Sequence, residues 1–78
     1  MIIDRLKNAD PNDDVLFAQL VNDTLDALEM DYDVLALEFR MSRQGIANWA
    51  AGRTQPHPLM RPQIYATLVK LLEASSTP

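Results

Sequence analysis

The apolar residues between positions 16 and 28 recur with the period of an α-helix. Stepping about 100° per residue, they fall within about half of the helical wheel, and the polar residues of the same segment fall on the other half. The apolar residues are Leu16, Phe17, Leu20, Val21, Leu25 and Leu28. Asp10 followed by Pro11 is typical of a helix start. This pattern predicts an amphipathic helix over about 11–30, which must bury one face against the rest of the chain.

Two short helices are expected next, and both have capping residues at their ends. Asp31 or Asp33 can cap a helix that ends near Arg40. Ser42 can cap a following helix, and Gly52 can end that helix in the left-handed conformation that glycine adopts at low cost. We expect these two helices to cross and to share one apolar core.

A last helix is expected after a proline-containing loop. Pro56 and Pro58 prevent regular helix, whereas Pro62 can occupy a first helical turn. One face of this helix is apolar and consists of Ile64, Tyr65, Leu68, Val69, Leu71 and Leu72. No segment alternates apolar and polar residues over the length of a strand. The sequence therefore predicts an all-α fold, a small four- to five-helix bundle.

The chain of 78 residues is expected to form a single domain over 1–78. Residues 1–10 either dock on the core or form a flexible arm, and residues 75–78 are expected to be a disordered tail. Cysteine is absent, which excludes disulfides and thiolate metal sites. No apolar run has the length of a signal peptide or of a membrane span, so we expect a cytoplasmic protein with no membrane contact. We also expect no cofactor, no metal and no catalytic activity, because the sequence has no glycine-rich phosphate loop and no metal-ligand cluster.

Charge is distributed unevenly along the chain. Residues 1–38 contain ten acids and two bases, whereas residues 39–72 contain five bases and no acid. Such asymmetry is typical of a surface that binds a polyanion. A face that is simply solvated by arginine gives the same composition, so charge alone leaves both interpretations open.

The start of the helix capped by Ser42 presents side chains with a specific chemistry. Arg43 can donate two hydrogen bonds to guanine O6 and N7, and Gln44 or Asn48 can pair in two places with adenine N6 and N7. Ala47 is small enough to allow close approach or to contact a thymine methyl group. The helix N-terminus also favours a phosphate. This chemistry suits base edges, but without a surrounding motif Arg43 and Gln44 equally fit solvated residues at the start of an ordinary helix.

The segment "LALEFRMSRQGIANWAAGRTQP" resembles the helix-turn-helix of the lambda-repressor-like, Cro-type family of DNA-binding domains. The helix-turn-helix itself covers 32–51, and the similarity extends over roughly 11–74. The residues that carry the resemblance are Ala36, Ile46, Trp49, Gly52 and Pro56. The family implies a bundle whose third helix lies in the major groove, and its members usually act as dimeric regulators on near-palindromic operators.

The resemblance also implies roles for individual side chains. The positions that face bases are Arg43, Gln44, Ala47 and Asn48. The positions that hold phosphates are Tyr32, Arg40, Ser42 and Arg53, and Gln55 lies in a loop that can lean on the same backbone. The family normally has glycine at the place of Arg40. An arginine there must accept a left-handed backbone, at a cost of about 1 kcal/mol, or a different turn.

Several alternatives remain open at the level of sequence. The mid-helix Gly45 indicates either that the helix sinks close to a DNA groove or that the preceding helix packs tightly behind it. Trp49 is expected in the core rather than as a platform for stacked bases. The protein is expected to be a bacterial or phage repressor or autoregulator that binds double-stranded DNA as a homodimer. The alternatives are a protein-interaction module (an antirepressor or adaptor) and an antitoxin.

The homodimer is expected to form through the last helix. Tyr65, Val69 and Leu72 share its apolar face. The same three residues can equally pack only within the core of a single chain, because a small domain has little apolar surface with which to build its core.

Overall fold

The computed structural model describes residues 2–75, which form five α-helices and one 3₁₀ turn. The helices are α1 (Ile2–Lys7), α2 (Asp14–Leu28), α3 (Tyr32–Phe39), α4 (Arg43–Ala51) and α5 (Arg61–Ser75), and the 3₁₀ turn is Pro58–Met60. No strand occurs within residues 2–75. The prediction of an all-α fold is therefore confirmed.

The start of α2 differs from the prediction. Asp13, not Asp10, is the N-cap, because its carboxylate accepts a hydrogen bond from the Leu16 amide at 3.0 Å. Asp10 instead closes a turn, in which its carbonyl accepts from the Asp13 amide at 3.1 Å and its carboxylate accepts from the Asn12 amide at 2.9 Å. Pro11 lies inside this turn, where its fixed φ is equally suitable. Two capping aspartates three residues apart are locally equivalent, so the sequence pattern chose the wrong one.

The first residues dock on the core rather than forming an arm. Residues 2–7 are helical, and Leu6 is only 2% exposed. Arg5 Nη1 also donates to Asp23 Oδ2 on α2 at 2.7 Å. At the other end, Ser75 is the last residue of α5, and residues 76–78 of the predicted tail lie outside the described residues.

The core gathers the apolar faces of all five helices. Phe17 lies at its centre, with its ring centroid 5.4 Å from that of Trp49 and 5.9 Å from that of Tyr65. Trp49 is buried, which confirms its expected place in the core. Tyr65, Val69 and Leu72 are buried as well. The last helix therefore uses its apolar face inside the chain, and these three side chains do not form an exposed surface for a second copy.

A buried arginine joins three segments that precede or open the long helices. The Arg61 side chain is 3% exposed, and its Nη2 lies 2.6 Å from Asp14 Oδ1 at the start of α2. Its Nη1 donates to the Pro11 carbonyl at 2.8 Å and its Nε donates to the Pro56 carbonyl at 3.1 Å. The guanidinium also lies over the Phe17 ring at 5.5 Å. Arg61 is thus an internal cross-link and not part of a positive surface.

The buried Tyr65 is expected to make the free energy of unfolding decrease as pH rises through the alkaline range. Its buried hydroxyl has no hydrogen-bond partner among the described residues, and burial raises the pKa of this phenol above its ordinary value. The folded chain therefore keeps the proton to a higher pH than the unfolded chain, so stability is complete below about pH 10 and falls as pH rises further. We expect Tyr65→Phe to fold as stably as wild type near neutral pH, because no hydrogen bond is lost.

The measurement is urea unfolding of both proteins from about pH 8 to pH 11. The difference between wild type and Tyr65→Phe isolates the contribution of Tyr65 from that of every other group in the chain. Parallel pH profiles for the two proteins would contradict this account of Tyr65.

Within residues 2–75, no helix has both the length and the apolar character needed to cross a membrane.

Candidate functional site

The short turn between α3 and α4 contains Arg40 in the left-handed conformation, which is one of the two possibilities that the sequence allowed. Arg40 has φ 54° and ψ 46°, so it accepts the left-handed conformation in which glycine is usual. Its amide donates to the Leu37 carbonyl at 3.3 Å, and the Met41 amide donates to the Ala36 carbonyl at 2.8 Å. These two hydrogen bonds close α3 by satisfying carbonyls at its end. They offset the cost of about 1 kcal/mol for a left-handed non-glycine residue.

Gly45 lies in the first turn of α4, beside the turn that precedes the helix. The Ser42 hydroxyl caps the helix by accepting from the Gly45 amide at 3.0 Å, as predicted. A Cβ atom at Gly45 would lie 2.9 Å from the Met41 Cε atom and 3.4 Å from the Ser42 hydroxyl oxygen. The space beside Gly45 is therefore taken by the end of the flexible Met41 side chain, which can move aside at small cost. Met41 belongs to the turn and not to α3, so this contact tests neither of the two reasons that the sequence offered for a glycine here.

The outer surface of α4 carries the four predicted base-facing residues. Arg43 and Gln44 are exposed, whereas Ala47 and Asn48 are half-buried. The Gln44 side-chain amide donates to Asn48 Oδ1 at 3.0 Å. The opposite side of the helix is fixed in the core. Ile46 is fully buried there, and Trp49 contacts Phe39 of α3 with ring centroids 5.7 Å apart. The helix is thus rigidly seated behind a polar surface.

Arg43 is held by the start of α3. Its Nε lies 3.4 Å from Asp33 Oδ1, and its guanidinium carbon lies 5.7 Å from the centroid of the Tyr32 ring. Both charged side chains are more than 60% exposed, so solvent screens the pair and its contribution is below about 1 kcal/mol. These contacts orient Arg43, but the Asp33 carboxylate also reduces the positive potential beside it.

The remaining predicted phosphate contacts lie at the two ends of α4. Arg53 is exposed after Gly52 and has no ion-pair partner within residues 2–75. The Gln55 side-chain amide donates to the Gly52 carbonyl at 3.0 Å, so it closes the loop that follows α4. Arg40 is exposed in the turn before α4 and lines a groove between α3 and α5. The predicted phosphate roles of these residues stay predictions.

The positive charge near α4 is smaller than the composition indicated. Of the five bases in residues 39–72, Arg61 is buried, and Lys70 lines a different groove, between α1 and α5. Three arginines therefore remain exposed around α4, namely Arg40, Arg43 and Arg53. Since Asp33 opposes Arg43, a polyanion meets only moderate electrostatic attraction at this surface.

One structural side chain at this site has no signal in the sequence. Asn22 falls on the polar half of the α2 pattern, yet its Nδ2 donates to the Ala50 carbonyl at 2.8 Å and to the Ala18 carbonyl at 2.9 Å. It thereby ties the last turn of α4 to the middle of α2. An asparagine on the polar side of an amphipathic helix is usually solvated, so nothing in the pattern distinguished this one.

Comparison with known proteins finds no matching family model, no matching curated protein and no matching solved structure. Within residues 2–75, no group of three or more His, Cys, Asp or Glu side chains is placed to hold a metal ion.

Proposed function

We propose that the protein is a transcriptional regulator that binds double-stranded DNA sequence-specifically, with α3 and α4 acting as a helix-turn-helix. The observation that carries the proposal is the arrangement of Arg43, Gln44 and Asn48 on a helix whose other side is seated in the core. The two amide side chains hydrogen-bond to each other, and the arginine lies beside them, oriented by α3. Such a surface offers several directed hydrogen-bond groups from one rigid element.

The chemistry of this surface matches base edges in the major groove. The Gln44–Asn48 hydrogen bond leaves the Gln44 carbonyl oxygen free to accept and the Asn48 amide free to donate. Adenine presents the complementary pair, an N6 donor and an N7 acceptor, and guanine O6 and N7 match the guanidinium of Arg43. Ala47 lies between the two amides in sequence and adds no bulk that would hold the helix away from the bases.

The ends of α4 supply the contacts that position the helix. Ser42 and the amides of the first turn form the N-terminus of α4, the end of a helix that favours a phosphate, and Arg53 follows the last turn. Tyr32 and Gln55 complete the proposed contacts to the DNA backbone. In this proposal the protein acts as a repressor or autoregulator and binds a near-palindromic operator as a homodimer.

A second candidate is a protein-binding module that uses the same two helices, in the manner of an antirepressor, adaptor or antitoxin. The observation in its favour is the outer face of α3, where Leu37 is 83% exposed and Val34 is 38% exposed. Exposed apolar side chains next to acidic ones suit a protein partner better than a phosphate backbone. The two candidates differ in how binding responds to salt.

The salt dependence of DNA binding tests the proposed backbone contacts. We expect the logarithm of the association constant for any duplex to fall linearly with the logarithm of the salt concentration. Arg53→Ala should reduce the magnitude of that slope by about 1, because one phosphate contact is lost. The same variant should weaken binding to all sequences by a similar factor. The measurement is fluorescence anisotropy with two unrelated labelled duplexes between about 50 and 200 mM salt.

Lys70→Ala is the matched control, since it removes one positive charge from the α1–α5 side of the molecule. It should leave both the affinity and the slope unchanged. If the two variants behave alike, net charge rather than an Arg53 contact governs binding. If wild-type binding is absent or independent of salt, the protein-binding candidate is favoured.

A further inference from the structure

A groove between the end of α3 and the start of α5 combines exposed apolar surface with unpaired charges. Phe39 and Ile64 line its interior, and Met60 lies at its edge with 54% of its surface exposed. Leu59, the neighbour of Met60, is 83% exposed. A short turn that exposes two large apolar side chains in succession is costly in water unless a partner covers them.

The charges at this groove have opposite signs and lie on either side of one residue. Glu38 and Arg40 flank Phe39 in sequence, and all three side chains line the groove. Both charged side chains are exposed, and neither makes an ion pair with another residue in the part of the chain that the structure describes. The groove therefore presents a positive and a negative group around a central apolar one.

We propose that a second copy of this chain covers the groove in an isologous homodimer. A twofold axis passing near Phe39 reverses the order of the flanking charges, so that Glu38 of each copy faces Arg40 of the other. The same operation places the exposed Met60 of one copy against the apolar surface of its partner. Self-complementarity of this kind is what a twofold interface requires, because one patch must fit its own rotated image.

This inference rests on the proposed function, since it identifies the surface through which the dimeric DNA reader forms. It replaces the dimer face predicted from the sequence, because Tyr65, Val69 and Leu72 are buried in the core of the chain. It also assigns Arg40 to the partner copy rather than to a phosphate. Seven residues line the groove, fewer than the roughly 20–30 per partner of a standard interface, so we expect the free protein to be a weak dimer.

A charge exchange tests this surface without DNA. Sedimentation equilibrium at concentrations up to about 1 mM compares wild type, Glu38→Arg, Arg40→Glu and the variant with both changes. Each single variant places like charges opposite each other and should raise the dimer dissociation constant at least about tenfold. The double variant restores opposite charges and should return to within about threefold of wild type. Circular dichroism establishes that all four proteins are folded.

Met60→Asp provides an independent check, because it places a carboxylate in the apolar part of the patch and should yield a monomer. Val15→Asp is its matched control, since Val15 is also 69% exposed but lies on the outside of α2, and this variant should remain a dimer. A monomeric wild type, a double variant as weak as the single ones, or six proteins that dimerise equally would each overturn the proposal. Because no DNA is present, these results are separate from any failure of DNA recognition.

Discussion

Replacing Arg61 with methionine is expected to lower the free energy of unfolding by about 3 kcal/mol. The guanidinium is almost fully buried and uses three nitrogens for three different partners, on the loop before α2, at the start of α2 and on the loop before α5. Methionine fills much of the same volume but leaves the carbonyls of Pro11 and Pro56 without their donor. An unsatisfied buried carbonyl costs about 1–3 kcal/mol, and these two hydrogen bonds are part-buried, so each loss is expected near the lower end of that range. Asp14 is 58% exposed, so its own loss of a partner adds little.

Thermal unfolding measures this effect, and a loss of about 3 kcal/mol corresponds to a fall in Tm of roughly 15 °C for a domain of this size. Arg5→Met is the matched control, because Arg5 also pairs with an aspartate at 2.7 Å but is 46% exposed. Its cost should stay below about 1 kcal/mol. Arg61→Lys should not recover wild-type stability, since one ammonium cannot reach three partners. Equal losses for Arg61→Met and Arg5→Met would contradict the role of Arg61 as a cross-link.

Truncating Arg43 or Gln44 to alanine is expected to weaken specific DNA binding by about 1–3 kcal/mol. Each side chain is proposed to make directed hydrogen bonds to a base edge, which alanine cannot replace. Both are exposed at the start of α4, so the fold should be retained. The measurement compares the affinity for an operator, obtained by selection from random DNA duplexes, with the affinity for an unrelated duplex. Only the operator affinity should fall, because contacts to the DNA backbone remain.

Asp33→Asn separates recognition by Arg43 from the ion pair that Arg43 makes. The substitution removes the carboxylate 3.4 Å from Arg43 Nε but keeps the arginine. Under the proposed function, affinity is retained or increases, since a negative charge beside the DNA is lost. Equal weakening of operator binding by Asp33→Asn and Arg43→Ala would contradict this. Arg43 would then support DNA binding through its ion pair with Asp33 and not through contact with a base.

Helices α3 and α4 were predictable from the sequence because their boundaries depend on neighbouring residues. Asp31 and Ser42 cap them through hydrogen bonds to amides two and three residues ahead, and Gly52 ends α4 with φ 74°. Such signals are contained in a few consecutive residues. The start of α2 was predicted wrongly at Asp10 because Asp13 offers an equivalent cap, and local sequence does not rank the two.

Contacts between distant residues were not predictable in the same way. Arg61 donates to the carbonyl of Pro11, fifty positions away in the chain, and Asn22 reaches Ala50 across twenty-eight. Their side-chain types normally indicate solvent exposure, so the charge count included Arg61 among the bases of residues 39–72, and the apolar pattern left Asn22 on the polar half of α2. Only the packing of α2 against α4 and α5 brings these partners together.

The candidate site was predictable in its chemistry but not in its surroundings. The capped start of α4 with Arg43, Gln44 and Asn48 follows from spacing alone. The ion pair of Arg43 with Asp33, the Gln44–Asn48 hydrogen bond and the groove beside Arg40 depend on rotamers and on how α3 meets α4 and α5. These features determine how much positive charge remains for DNA and which surface remains for a second copy.

Selection of binding sites from a random pool of DNA duplexes at near-physiological salt tests the central claim most directly. Wild-type protein should enrich an inverted repeat whose half-sites lie about one helical turn apart, and Arg43→Ala should lose that enrichment while staying folded. A folded wild-type protein that enriches no sequence would contradict the account and would direct attention to a protein partner for the exposed face of α3.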